Sequence, residues 1–233
     1  MIFHRINGYI IILLLCVSNA GIFMIARHVA GGSPHTQAMV GVLSTITTIS
    51  ISLAYYNIKR LQIDQHRAWM LRTWVYCGSI ISLRFVLKAA MQISYKMDDL
   101  YDSQPCVTIY YGYAAFGVPD AQNPTTLLYP SCGENASAST AYTAVPTDSE
   151  TPEGIAAAYN LCFGMAAFIA LVIHAISVEV YLHLTPAETE RLRQVSRQRQ
   201  EDAKFKNPRY EGPGYEGLTA GRSGDADTAY SGK

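Results

Sequence analysis

Residues 9–26 read YIIILLLCVSNAGIFMIA, a nearly unbroken apolar run about the length a helix needs to cross a hydrocarbon core. Three more such segments follow, at about 36–57, 68–91 and 154–182. Inside lipid every backbone N–H and C=O must find its partner within the segment, so runs of this kind can only be helices. Four of them predict an all-α fold, a four-helix transmembrane bundle over residues 1–184. The first run has a second reading. A basic start (His4, Arg5), a short apolar core and Ser18-Asn19-Ala20 also match a signal peptide with its cleavage site. The run continues past Ala20 to Ala26, which favours a retained helix.

The polar residues fall between these segments rather than among them. Charged residues make up 15% of the 233, against about 25% in an ordinary globular protein. The net charge is zero and no nucleic-acid motif is present, which argues against a nucleic-acid partner. No phosphate-binding glycine loop, dinucleotide fingerprint or serine nucleophile elbow occurs.

Distribution of charge sets the expected orientation. Arg5, the connection carrying Lys59, Arg60 and Arg67, and the tail with Arg191, Arg193, Arg197, Arg199, Lys204 and Lys206 all fall on one side. By the positive-inside rule that side is cytoplasmic, and so are both termini. The opposite side holds residues 92–153, with eight acidic residues and one basic residue, Lys96. A structureless loop of that length is uncommon, so it is expected to be functional or tied down. Cys106 and Cys132 share it and would face an oxidising compartment, where a disulfide persists. Asn135-Ala136-Ser137 is a glycosylation sequon usable only on that side. Tyr110, Tyr111, Tyr113 and Phe116 form an aromatic cluster that would lie on the membrane surface or cap the bundle. Asp98-Asp99 suits a solvated helix end, with cation binding as the sharper alternative.

Individual segments carry unusual polar content. The second is rich in hydroxyls (Ser44, Thr45, Thr47, Thr48, Ser50, Ser52), which serve close helix packing or line a polar path. The third holds Arg84 and Lys88 on one helical face with Cys77 and Ile81. A charge at that depth is expensive and is expected to face the bundle interior, a polar cavity or a partner. In the fourth, Asn160, Gly164, Ala167, Leu171 and His174 lie close to one face, a candidate helix contact; Glu179 is a second intramembrane charge. After it, Thr185-Pro186-Ala187-Glu188 is a capping box that starts a separate cytoplasmic helix over 185–206. Its basic run can touch anionic lipid, with interleaved acids weakening the effect. Residues 207–233 read as disordered. Cys16, Cys77 and Cys162 lie in apolar segments as small buried hydrophobes.

Before the third segment stands Asp64-Gln65-His66-Arg67-Ala68-Trp69-Met70-Leu71-Arg72, a mixture suited to a membrane–water interface. With His4-Arg5-Ile6-Asn7-Gly8-Tyr9, Ser82-Leu83-Arg84, His174-Ala175-Ile176-Ser177-Val178-Glu179, Leu184-Thr185-Pro186-Ala187-Glu188 and Arg191-Leu192-Arg193, it carries a resemblance. The chain resembles a family of predicted four-helix membrane proteins marked by H-R-x-W-M-x-R, particularly its fungal branch. The resemblance implies the fold, the membrane location and a retained first helix. It implies no activity.

The histidines form the one constellation with candidate chemistry. His4, His66 and His183 would lie at the cytoplasmic helix ends, with His174 about 12 Å further in at 1.5 Å per residue. Helical bundles build haem and metal sites from side chains on facing helices, so His66 and His174, with His4, are candidate ligands for haem or a metal ion. In plan the chain is loosely similar to transmembrane cytochromes that hold haem between axial histidines. Depth argues against that pair, and a metal shared by His4, His66 and His183 lacks the usual ligand spacing. The plainer role is headgroup contact for the interfacial histidines and a polar network for His174 with Arg72 and Glu179. Three function classes follow: an accessory or interaction protein using its outer loop or tail, a haem or metal redox protein, and a small-solute or proton path along the hydroxyl face with Arg84.

Overall fold

The computed structural model describes residues 2–28, 32–97, 99–138 and 140–203. The tail expected at 207–233, the end of the helix expected at 185–206, and Asp98 lie outside the described residues. In chain order the elements are helices α1 (Ile2–Ile25), α2 (Pro34–Lys59) and α3 (Ile63–Ser94), then strand β1 (Tyr101–Pro105) and helices α4 (Cys106–Ala115) and α5 (Gln122–Leu128). Strand β2 (Tyr142–Pro146), α6 (Pro152–Leu184) and α7 (Pro186–Asp202) complete them. Helices α1, α2, α3 and α6 are long and apolar enough to cross a membrane.

The first turn of α3 shows why it outruns the expected 68–91. The connection from α2 shrinks to residues 60–62, with Leu61 in the left-handed region (φ +59°). The Gln62 carbonyl then accepts the His66 N–H at 2.9 Å, so the helix is already wound through the interfacial stretch. Asp64 in that first turn complements the helix dipole. Helix α6 starts earlier than expected because Thr151 caps it: its Oγ1 accepts the Gly154 N–H at 3.1 Å, and Pro152 takes the first helical position.

Packing centres on α6, whose buried face is built from small residues including Ala157, Ala158, Cys162, Gly164, Ala166, Ala167 and Ala170. Small side chains let helix backbones approach, the main route to association in lipid. Ala167 and Leu171 meet Met39 and Leu43 of α2, while Cys162 and Ala166 meet Leu87 of α3. At Gly164 a Cβ would overlap the ring of His35. The face of α6 that the sequence singled out is thus a helix contact. Helix α1 stands apart and packs mainly on α2. Its chief polar tie is Asn19, whose Nδ2 lies 2.8 Å from Thr48 Oγ1 and 3.3 Å from Thr47 Oγ1.

The segment between α3 and α6 is a small folded head. Strands β1 and β2 pair antiparallel, Tyr101 opposite Pro146 through Pro105 opposite Tyr142. Cys106 and Cys132 are bonded, and both are buried. Tyr113 turns inward on Ile109, Val145 and Ala157, whereas Tyr111 and Phe116 remain exposed. The head and the Lys59–Gln62 turn with α7 occupy opposite ends of the bundle.

Candidate functional site

The proposed histidine ligands are spread over the bundle. His66 donates from Nδ1 to the Ala54 carbonyl at 2.8 Å, closing the α2–α3 turn. His174 donates from Nδ1 to the Ala170 carbonyl at 2.9 Å, and its Nε2 lies 3.4 Å from Ser82 Oγ, with the ring over Gly78. Gly78 is twelve residues along α3 from His66, about 18 Å at 1.5 Å per residue. An axial pair must flank one iron, so these two do not form one. His4 is exposed on α1, and His183 is exposed at the end of α6. Among the described residues no group of three or more His, Cys, Asp or Glu is placed to hold a metal ion.

Glu179 is committed elsewhere. Arg72 Nε donates to Oε1 at 2.7 Å and Nη2 to Oε2 at 2.9 Å, a bidentate pair joining α3 to α6. The guanidinium also lies over the Trp69 ring, 4.7 Å from its centroid. Bidentate geometry with stacking on an indole is what arginine offers and lysine does not. The interfacial motif therefore supplies Trp69 and Arg72 to a helix–helix clamp. His174 takes no part in it.

Four of the α2 hydroxyls are spent on their own helix, while the buried Ser44 Oγ has no hydrogen-bond partner among the described residues. Thr45, Thr47, Thr48 and Ser52 donate to carbonyls one turn back, at 2.7–2.8 Å. No α2 residue lines the groove that holds Arg84, so the structure does not join these hydroxyls and Arg84 into one path.

Of the three surroundings expected for Arg84, namely the bundle interior, a polar cavity or a partner, the first is not the one it takes. It is exposed on the outer side of α3, because Leu83 and Leu87 take the side packed on α6. With Lys88 it lines a groove of 460 Å³ between α3 and α6, whose other walls include Ile80, Leu83, Leu87, Met91 and Phe163. The two cations are one turn apart, about 6 Å along the axis. Among the described residues neither makes an ion pair. Gln92, Tyr95 and Tyr159 stand at the end nearer the head. Burial pushes the Tyr95 hydroxyl above its ordinary range, with the Asp148 charge adding to the effect, so it stays a neutral donor. Lys88 lies about 9 Å, and Arg84 about 15 Å, from the end of α3. The helical spacing of Arg84 and Lys88 was visible in the sequence. Their outward direction was not.

Two further sites escaped the sequence. Glu153 at the start of α6 is 4% exposed, and its Oε1 accepts from Tyr113 at 2.7 Å and Tyr129 at 3.3 Å. Its Oε2 has no hydrogen-bond partner among the described residues. Burial first, then the Glu153 charge and hydrogen bonds, push both tyrosines well above their ordinary range. Beside them burial would raise the Asp148 carboxyl. The N–H and hydroxyl of Thr151 and the N–H of Glu150 outweigh that and hold it below its ordinary value. The sequence left Glu153 at the end of the polar loop, and nothing local signalled its place in the first turn of α6 or its tyrosine partners. At the other end the separate helix α7 docks through Ser196 on the start of α3 and through Gln200 on the Arg60 carbonyl of the α2–α3 turn. Asn135 is exposed in the head, and Ser137 donates to its Oδ1 at 2.9 Å.

Residues 1–109 match the model of a family described as predicted membrane protein (DUF2306), a stretch covering α1 to α3 and part of α4. No curated protein and no solved structure matches the chain.

Proposed function

We propose that this integral membrane protein is an accessory protein that binds an anionic amphiphile, its acid group on Arg84 and Lys88 and its chain along the apolar walls. The observation that carries this reading is a pair of cations, without an ion-pair partner among the described residues, in a groove otherwise lined largely by apolar side chains. Leaving two cations in such surroundings is costly, and a ligand anion offsets that cost with charge-assisted hydrogen bonds. The chemistry is a phosphate or carboxylate on an acyl chain, whether a bilayer lipid or a free fatty anion. The hydroxyls of Tyr95 and Tyr159 are suited to the rest of a headgroup.

In this reading the head is extracytoplasmic and both termini are cytoplasmic, because the basic α2–α3 turn and α7 share one end. The disulfide and the Asn135 sequon suit that side. The motif H-R-x-W-M-x-R supports kinship with a fungal branch of predicted membrane proteins, and its Trp69 and Arg72 serve the α3–α6 clamp.

Binding is tested with the full-length protein in detergent and two fluorescent probes, a fatty anion and an acidic phospholipid. Arg84→Ala with Lys88→Ala is expected to weaken the preferred probe by about tenfold or more. A neutral probe of equal chain length should be unaffected. Preference between the anionic probes identifies the source. Equal affinity of wild type and double variant for both anions, in folded protein, overturns the reading.

A further inference from the structure

Ser196 and Gln200 of α7 make polar contacts with the α2–α3 turn and the start of α3. Ser196 is fully buried, and its Oγ accepts the Ile63 N–H at 2.9 Å. The same oxygen is 3.0 Å from Asp64 Oδ1 and 2.8 Å from the Leu192 carbonyl, and its one proton serves either. One turn on, Gln200 Nε2 donates to the Arg60 carbonyl at 2.9 Å. The opposite face of α7 is open, with Arg197, Gln198 and Arg199 exposed. Only Thr185 separates α7 from α6. A helix held on one face opens locally at far less cost than the bundle core.

The sequence around this hydroxyl is Arg193-Gln194-Val195-Ser196-Arg197. An arginine three residues before a serine and another directly after it match the charge pattern that a protein kinase with an acidic substrate surface selects. We propose that Ser196 is a phosphorylation site, modified while α7 is transiently released, and that the phosphate then keeps α7 undocked. In the transfer Ser196 Oγ forms a bond to the γ-phosphorus of a nucleoside triphosphate as the bond to the β,γ-bridging oxygen breaks. The hydroxyl proton goes to the kinase base, and the nucleoside diphosphate leaves. The product carries a charge of about −1.5 to −2 at neutral pH. In the docked state that charge would replace a fully buried hydroxyl at hydrogen-bond distance from the Asp64 carboxylate. Both the volume and the sign of the charge oppose redocking, whereas in the released helix the phosphate is hydrated beside Arg197.

This inference rests on the cytoplasmic placement of α7 proposed above, since the nucleotide is on that side. A reaction on purified protein is blind to orientation, so it tests the latch alone; a failure of topology would appear only in the glycan experiment described below. The full-length protein in lipid nanodiscs is treated with a catalytic domain of an arginine-directed kinase and Mg-ATP. Phosphate is then mapped by mass spectrometry, and amide exchange is followed. One phosphate is expected on Ser196 and none there in Ser196→Ala. Exchange over 186–202 and 60–66 should rise on the order of tenfold upon phosphorylation. The head, 106–146, should be unchanged. Ser196→Glu, which needs no kinase, should reproduce the increase, and Ser196→Ala should give a smaller one. Absence of phosphate on Ser196 overturns the site. Wild-type exchange in both the phosphorylated protein and Ser196→Glu overturns the latch.

Discussion

His174 uses its Nδ1–H on its own helix and its Nε2 on Ser82 across the contact with α3. Its loss is therefore expected to be structural. His174→Gln should cost about 0.5–1.5 kcal/mol, the usual net worth of a hydrogen bond. Thermal unfolding in detergent would read that cost, and the visible absorption spectrum should not change. Arg72 and Arg84 lie on the same helix and meet opposite fates. The first is neutralised by Glu179 and an indole; the second is exposed with Lys88 in a groove. Glu153 shows a third arrangement, a buried carboxylate held by two phenols. Because Tyr113 and Tyr129 are raised above their unfolded value of about 10, the stability they contribute is fully present below that pH. It is lost as pH climbs from about 10 through the folded values. Asp148, held low, contributes above its unfolded value of 3.8 and ceases to contribute as pH falls through its folded value. Glu153→Gln should bring both phenols closer to normal while burial keeps them above it. Following tyrosinate absorbance against pH would show this as a shift of two of the late-titrating phenols.

Among the elements the head and the turns were harder to read than the spans. The Cys106–Cys132 bond closes a loop over a sequence separation of 26, and loop-closure entropy gives it about 3–4 kcal/mol. Reduction is expected to loosen the 106–146 region by that order while the contacts of α2, α3 and α6 persist. Amide exchange with and without reductant would separate the two regions. The pairing was legible because these are the two cysteines of one polar segment. The pairing of Tyr101–Pro105 with Tyr142–Pro146 was not, since it spans some forty residues and neither strand has a strong alternating pattern. Span existence followed from apolar runs, yet α3 begins at Ile63 because backbone at an interface still pairs best by continuing the helix. Leu61 absorbs the cost of the sharp turn in a conformation that favours glycine. Leu61→Gly should raise thermal stability by up to about 1 kcal/mol if relief of that strain exceeds the entropy glycine adds to the unfolded chain.

At the scale of the whole molecule, α3 and α6 extend about 48 and 50 Å at 1.5 Å per residue, well beyond a hydrocarbon core of about 30 Å. The extra turns carry the head at one end and meet α7 at the other, so the two polar regions are linked by the same pair of rods. Under the orientation proposed above, protein made in a glycosylating host should carry a glycan that Asn135→Gln removes. Gel mobility with and without glycosidase would read this; a glycan persisting in that variant would exclude Asn135 as its site. Beside these rods, α1 rests on α2 through the Asn19 fork, leaving a crevice of 280 Å³ lined by Leu14, Leu15, Trp74 and Cys77 among others. Acyl chains compete with α1 for those apolar walls on nearly equal terms, since hydrocarbon outside and inside the seam is alike. The surrounding bilayer thus acts as a solvent of adjustable quality for one quarter of the bundle. Chain length and saturation, set against the Asn19 fork, would decide how closely that helix is held.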